Sequence, residues 1–115
     1  MADKLYVVTR ADLPPGSQAV QSMHASRQYA HEHPEIERRW FEESNHLCML
    51  SVRDERALEA LIQKAARTGV TFAVFREPDL GDSITAAAFE PGARGQRLCS
   101  GLQLALRSES QPAPA

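Results

Sequence analysis

The chain has few of the features that mark metal, disulfide or membrane proteins. Its 115 residues include two cysteines, Cys48 and Cys99, which form no CxxC spacing and so support neither a zinc site nor a disulfide framework. No apolar run approaches the roughly 20 residues of a membrane-spanning helix. The first residues show no apolar stretch followed by a cleavage signature. We therefore expect a cytoplasmic protein without membrane contact.

The chain also lacks an excess of charge of one sign. Its net charge is -2 at pH 7, so any contact with nucleic-acid phosphate must come from a local patch. Lysine is scarce, because Lys4 and Lys64 are accompanied by eleven arginines among the thirteen cations. The planar arginine side chain suits phosphate contact, although a GC-rich genome would give the same bias.

The chain contains enough apolar residues to form the core of one domain, since 43% of its residues are hydrophobic. We assign residues 1–106 to a single domain and the polar, proline-rich residues 107–115 to a disordered tail. Short apolar runs predict four strands, at 4–9, 47–52, 70–75 and 84–89. Helical patterns occupy 17–33, 35–44 and 55–68, and residues 96–106 form either a short helix or an extended segment.

This order of elements predicts an α/β domain of three layers, with a four-stranded mixed β-sheet and helices on both faces. Pro34 divides the first two helices. Asp54 is expected to cap the third helix and Gly69 to end it. The alanines of the fourth strand indicate that a helix lies close to it.

Two polar segments are candidates for the functional site. Ser17, Gln21 and His24 are spaced i, i+4 and i+7, so they share one face of a helix that directly follows a strand. The second segment, residues 76–85, contains several acidic residues and Thr85 at a strand end. If the first and fourth strands are neighbours, Asp79 and Thr85 would face Gln21 and His24 across one cleft.

Each of these residues also has a structural interpretation. Ser17 would be the helix N-cap, and Asp79 and Asp82 would be turn formers. His31 and His33 have no third ligand at helical spacing, so we predict no metal site there. From pattern alone, the chain is a small α/β domain with one polar cleft.

The segment VVTRADLPPGSQAVQSMHAS contains Arg-x-Asp-Leu, a glycine and a helix reading Ala-x-Gln-x-x-His-Ala. It resembles the N-terminal signature of the type 2 peptidyl-tRNA hydrolase family. The segment VFREPDLGDSITAAAFEPG resembles the later part of the family, with Asp79 or Glu77 at its acidic position and Thr85 opening the last strand. The resemblance covers roughly residues 4–106. The residues that match the signature are Arg10, Asp12, Leu13, Gly16, Ala19, Gln21, His24 and Ala25.

This resemblance implies hydrolysis of the ester between a peptide and tRNA, without metal or organic cofactor. In this interpretation Asp79 orients or deprotonates water, directly or with His24, while Gln21 and Thr85 donate hydrogen bonds to the ester. Arg10, Arg27 or Arg76 would contact tRNA phosphate. The implied catalytic residues are Gln21, His24, Asp79 and Thr85. The implied substrate-binding residues are Arg10, Asp12, Ser17, Arg27 and Arg76.

The sequence departs from the family at Ser17, where the family usually carries a lysine that is a catalytic or phosphate-binding candidate. This difference, with the altered acidic loop, indicates a divergent bacterial branch. It leaves two alternatives open, namely an inactive relative that binds tRNA or protein, and a hydrolase of another acyl ester. An exposed Trp40–Phe41 pair would mark a homodimer surface, whereas Trp40 packed in the core would not.

Overall fold

The structure, a computed structural model, describes residues 3–108. The strands are β1 (Lys4–Arg10), β2 (His46–Val52), β3 (Phe72–Glu77), β4 (Ser83–Phe89) and β5 (Gln103–Leu104). The helices are α1 (Pro15–Glu32), α2 (Pro34–Glu43), α3 (Glu55–Thr68) and α4 (Ala93–Cys99), and a 3₁₀ turn spans Pro78–Leu80. Residues 109–115 of the expected disordered tail lie outside the described residues.

The sheet is mixed, with strand order β3-β4-β1-β2-β5. Strand β1 is parallel to β2, whereas β4 is antiparallel to both β1 and β3, and β5 is antiparallel to β2. The prediction of four strands is therefore wrong, because the sheet has five. The fifth strand pairs through Gln103 and Leu104 alone, which is too short to produce a hydrophobic period in the sequence.

Helices cover both faces of the sheet, which confirms the three layers. Successive residues of β1 point to opposite faces. Leu5 and Val7 pack with residues of α1 and α2, and Tyr6 and Val8 pack with residues of α3 and α4. Within residues 3–108, no helix is both long and apolar enough to cross a membrane.

Capping residues confirm the predicted ends of α3. The side chain of Asp54 accepts a hydrogen bond from the backbone N–H of Ala57 at 2.9 Å, and Gly69 ends the helix with φ +74°. The predicted cap of α1 is wrong, since this helix begins at Pro15 and its N-cap position is Pro14. Proline suits a first helical position because its fixed φ is already helical. Ser17 therefore lies inside the first turn.

Trp40 lies in the core rather than on the surface. Its side chain is buried, and its indole N–H donates to the carbonyl oxygen of Asp3 at 3.0 Å. The neighbouring Phe41 is exposed. The exposed Trp40–Phe41 pair that would mark a dimer surface does not form, because Trp40 packs in the core, which is the alternative that the sequence favours. A homodimer stays a prediction.

Gly95 in α4 allows this helix to lie against the end of β4. A Cβ atom at Gly95 would lie 1.9 Å from the carbonyl oxygen of Glu90, which no real contact permits. We expect Gly95→Ala to lower the free energy of unfolding by about 1–3 kcal/mol, because backbone must move. Gly16→Ala is the control, since a Cβ there meets no atom within 4 Å. Urea unfolding of both variants tests this, and equal stabilities would contradict it.

Candidate active site

A β-bulge in β4 turns Thr85 toward α1. Phe75 of β3 pairs with Ala86 and Arg76 pairs with Ile84, so Thr85 is an extra residue between two paired positions. In a regular strand Thr85 would point to the same face as Ala87, which packs in the α3 layer. The bulge instead brings the Thr85 hydroxyl to Gln21 of α1.

Three side chains form one hydrogen-bond chain between α1 and the sheet. The hydroxyl of Thr85 donates to Oε1 of Gln21 at 2.6 Å, and Nε2 of Gln21 donates to Oε1 of Glu77 at 2.9 Å. Thr85 has no exposed surface, Gln21 is 5% exposed and Glu77 is half-buried. Both partners fix the same orientation of the Gln21 amide, because one accepts from its nitrogen and the other donates to its oxygen.

His24 lies one turn further along α1, on the surface. Its ring stacks on Phe75 with centroids 4.3 Å apart and planes at 6°. Phe75 and Glu77 are two residues apart on β3, so they share the face that α1 covers. The structure thus places His24 beside the Gln21–Glu77 pair, with its imidazole open to solvent.

The three acidic residues of the second segment take different positions. Glu77 contacts α1 through Gln21, and its other oxygen accepts from the backbone N–H of Asp79 at 3.4 Å. Asp79 is exposed within the 3₁₀ turn. Asp82 is exposed with φ +60°, a conformation that aspartate adopts in turns. Of the three, Glu77 is the carboxylate that the fold brings to α1.

Arg10 and Asp12 brace the strand ends below this site. Arg10 donates to both oxygens of the Asp12 carboxylate at 3.0 Å, and to the carbonyl oxygen of Ile84 at 3.1 Å. The hydrogen bond from Arg10 lowers the pKa of Asp12 below its usual value. These contacts occupy Arg10, so it ties β1 to the start of β4 instead of extending toward solvent.

The remaining predicted contacts do not form a basic rim. Ser17 lies one turn before Gln21 on the same side of α1. Arg27 is exposed but is six residues after Gln21, and thus about 120° away around the helix. Arg76 is exposed and donates to the carbonyl oxygen of Asp82 at 3.4 Å. Among the described residues, Gln21 thus has a hydrogen bond to the carboxylate of Glu77 and none to an arginine.

A cavity of about 320 Å³ lies away from this site. It is lined by Asp3, Trp40 and Pro91, at the end of β1 opposite to Arg10. Across the described residues, no group of three His, Cys, Asp or Glu side chains could hold a metal ion. The site consists of a buried amide–hydroxyl–carboxylate chain with a histidine at its edge, which is suited to hydrogen bonding and proton transfer.

Fold and site together define a three-layer α/β domain with a polar site between its first helix and the edge of the sheet. The chain matches the family Peptidyl-tRNA hydrolase PTH2 over residues 3–97, and it belongs to this family. Its fold is similar to that of Atu0240, a protein of unknown function from Agrobacterium tumefaciens strain C58. That comparison has a TM-score of 0.65 at 13% identity, covering 90% of this chain and 98% of the other. No curated protein matches this chain.

The sequence indicated most of this site but not the position of its carboxylate. The family resemblance allows either Glu77 or Asp79 at the acidic position. The alternation along β3 is the one local signal that separates them, since Phe75 and Glu77 fall on one face when the strand extends to Glu77, whereas the predicted strand ends at residue 75. The bulge at Thr85 had no sequence signal of this kind.

The hydrogen bond of Thr85 should be important for stability. We expect Thr85→Val to lower the free energy of unfolding by about 1–3 kcal/mol, because it leaves the buried Gln21 oxygen without a donor. Thr68→Val is the control, since this hydroxyl is on the surface at the end of α3. Thermal unfolding compares them, and a Thr85→Val protein as stable as the control would show that the bond contributes little.

Proposed function

We propose that this protein hydrolyses the ester between a peptide and tRNA. The observation that carries the proposal is the hydrogen-bond chain from Thr85 through Gln21 to Glu77 in a member of the peptidyl-tRNA hydrolase family. Ester hydrolysis needs a positioned water and a donor for the developing oxyanion. Peptidyl-tRNA is made in the cytoplasm, which is the location that the proposal implies.

Gln21 is the proposed donor to the ester. One hydrogen of its amide nitrogen is directed to Glu77, and the second has no partner among the described residues. That second hydrogen can donate to the ester carbonyl as negative charge develops there. Thr85 already donates to Gln21 and is fully buried, so we assign to it the positioning of Gln21.

Glu77 is the proposed carboxylate for the attacking water. It accepts from Gln21, so a water bound to its free lone pairs would lie next to the ester carbonyl. His24 lies at the entrance, where its stacking on Phe75 holds the imidazole ready to bind substrate or transfer a proton. Asp79 is more exposed than Glu77. The alternative is that Asp79 orients the water, and the variants Glu77→Gln and Asp79→Asn distinguish these two roles.

The surface beside Gln21 favours a second candidate, a hydrolase of another acyl ester. Glu77 contacts Gln21, Asp79 and Asp82 follow it in the exposed turn, and Ser17 stands where a lysine would supply a positive charge. A substrate with fewer phosphates would meet less repulsion there. A relative that binds tRNA or protein without hydrolysis is the remaining alternative.

Hydrolysis of purified peptidyl-tRNA by the wild-type protein and by Ser17→Lys tests the proposal. We expect measurable turnover by the wild type, and a lower KM for the variant because the added charge attracts phosphate. Activity in the variant alone would mean that the fold supports hydrolysis but the natural protein has left this role. Absence of turnover in both would contradict the proposal and favour a different ester or a binding protein.

Glu77→Gln and Asp79→Asn identify the carboxylate. Both changes remove a charge at nearly constant shape, and the amide introduced by Glu77→Gln keeps an oxygen that can accept from Gln21. We expect kcat to fall by about 10²–10⁴ for Glu77→Gln, the usual contribution of a general base, and by less for Asp79→Asn. The reverse order would assign the water to Asp79, as the sequence alone predicted. Circular dichroism of both variants confirms that they fold.

A further inference from the structure

Positive charge is concentrated on the side of the sheet opposite to the candidate active site. Helices α1 and α2 together carry three arginines and five glutamates. Helices α3 and α4 carry five lysines or arginines and two glutamates, although the whole chain has a net charge of -2. An approaching polyanion is therefore attracted to the α3–α4 layer and repelled from the α1–α2 layer.

A cavity of about 200 Å³ lies in this positive layer, between the end of α3 and α4. Lys64, Thr68, Arg94 and Arg97 supply its polar lining. Arg94 is held in place, because it donates to both oxygens of Glu90 and to the carbonyl oxygen of Gly69. Within residues 3–108, Lys64 and Arg97 take part in no ion pair, so their charges are available to a ligand.

Helix stability explains only part of this cluster. Cations in the last turn of a helix are stabilised by its dipole, which accounts for Arg67 of α3, for Arg97 of α4 and in part for Lys64. Arg94 lies in the first turn of α4, where the dipole disfavours a positive charge. A cavity lined by cations from two helices instead has the composition of a phosphate-binding surface.

We propose that the surface beside this cavity, with Lys64 and Arg97 as its unpaired cations, binds the phosphate backbone of the RNA substrate. This inference rests on the proposed function, since it assigns the tRNA contact that the acidic surface beside Gln21 does not supply. The two places are connected by α3. Glu55 in its first turn accepts from the backbone N–H of Ile84 at 2.7 Å, next to Thr85. Lys64 is nine residues further, or about 14 Å along the helix.

The test measures binding of deacylated tRNA by fluorescence anisotropy at several salt concentrations. The variant is Lys64→Ala with Arg97→Ala, and Arg94 is left in place because its contacts with Glu90 and Gly69 support the fold. The control is Arg38→Ala with Arg39→Ala, which removes the same number of exposed cations from α2. We expect the variant to bind at least about tenfold more weakly at low salt. The slope of log K against log salt should fall by about 1–2, the value for two lost phosphate contacts.

Control binding should keep the wild-type slope. If the Lys64/Arg97 variant binds tRNA with the wild-type affinity and salt slope, the proposed surface is wrong. The same conclusion follows if the control variant loses as much affinity as the Lys64/Arg97 variant. A third result that would contradict the proposal is displacement of tRNA by polyglutamate at the same concentration of negative charges. The surface would then bind acidic polymers in general rather than RNA.

The outcome is independent of hydrolysis, because binding is measured without an ester. If the wild type binds tRNA through this surface but does not hydrolyse peptidyl-tRNA, the surface is supported and the proposed reaction fails. If the protein hydrolyses peptidyl-tRNA with the same KM and salt dependence in the variant, the reaction is supported and the surface is wrong. In an active enzyme we expect the variant to raise KM and leave kcat unchanged.

Discussion

The candidate site depends on how closely α1 approaches β4. Ala86 and Ala88 have no exposed surface and pack against Ala25 of α1, so no long side chain separates the helix from the sheet. At this spacing Gln21 reaches Thr85 at 2.6 Å. An O–H···O hydrogen bond requires a heavy-atom distance of about 2.5–3.0 Å, and an added methylene in a packed core forces the backbone to shift. The alanines of β4 are therefore part of the site, although none of them has a polar atom in its side chain.

The start of β4 is fixed by polar contacts from three side chains of β1 and α3. Thr9 donates to the carbonyl oxygen of Thr85 at 2.9 Å, Arg10 to that of Ile84, and Glu55 accepts from the N–H of Ile84. A bulge leaves backbone groups without their usual strand partners, and these side chains satisfy them. The Arg10–Asp12 pair, which the sequence suggested as a substrate contact, thus has a structural use. Because the pKa of Asp12 is lowered in the folded state, its contribution to stability is present near neutral pH and is lost as the pH falls.

The sequence predicted those parts of the molecule that have a local cause. The ends of α3 follow from Asp54 and Gly69, and the four longer strands follow from their apolar runs. Strand β5 could not be predicted, because two residues contain no period. The choice between Glu77 and Asp79 also depends on tertiary structure, since it is set by where β3 ends and which face α1 covers. The site is therefore predictable as a set of residue types, but its contacts require the fold.

The candidate site and the cation-rich helices α3 and α4 lie on different sides of the sheet, which bears on the serine at position 17. A lysine there would place a charge directly beside Gln21, so that one residue could both attract phosphate and act near the ester. In this chain the cations Lys64 and Arg97 lie on the other face of the sheet, and the site contributes hydrogen bonds without a strong positive field. Affinity for an RNA backbone is nearly additive over phosphate contacts and does not depend on their being next to the reacting bond. If the substrate binds through α3 and α4, as proposed, a serine at position 17 costs less affinity than it would in a chain without that surface. Under the proposed function, the chemical step then depends on Gln21 and Glu77.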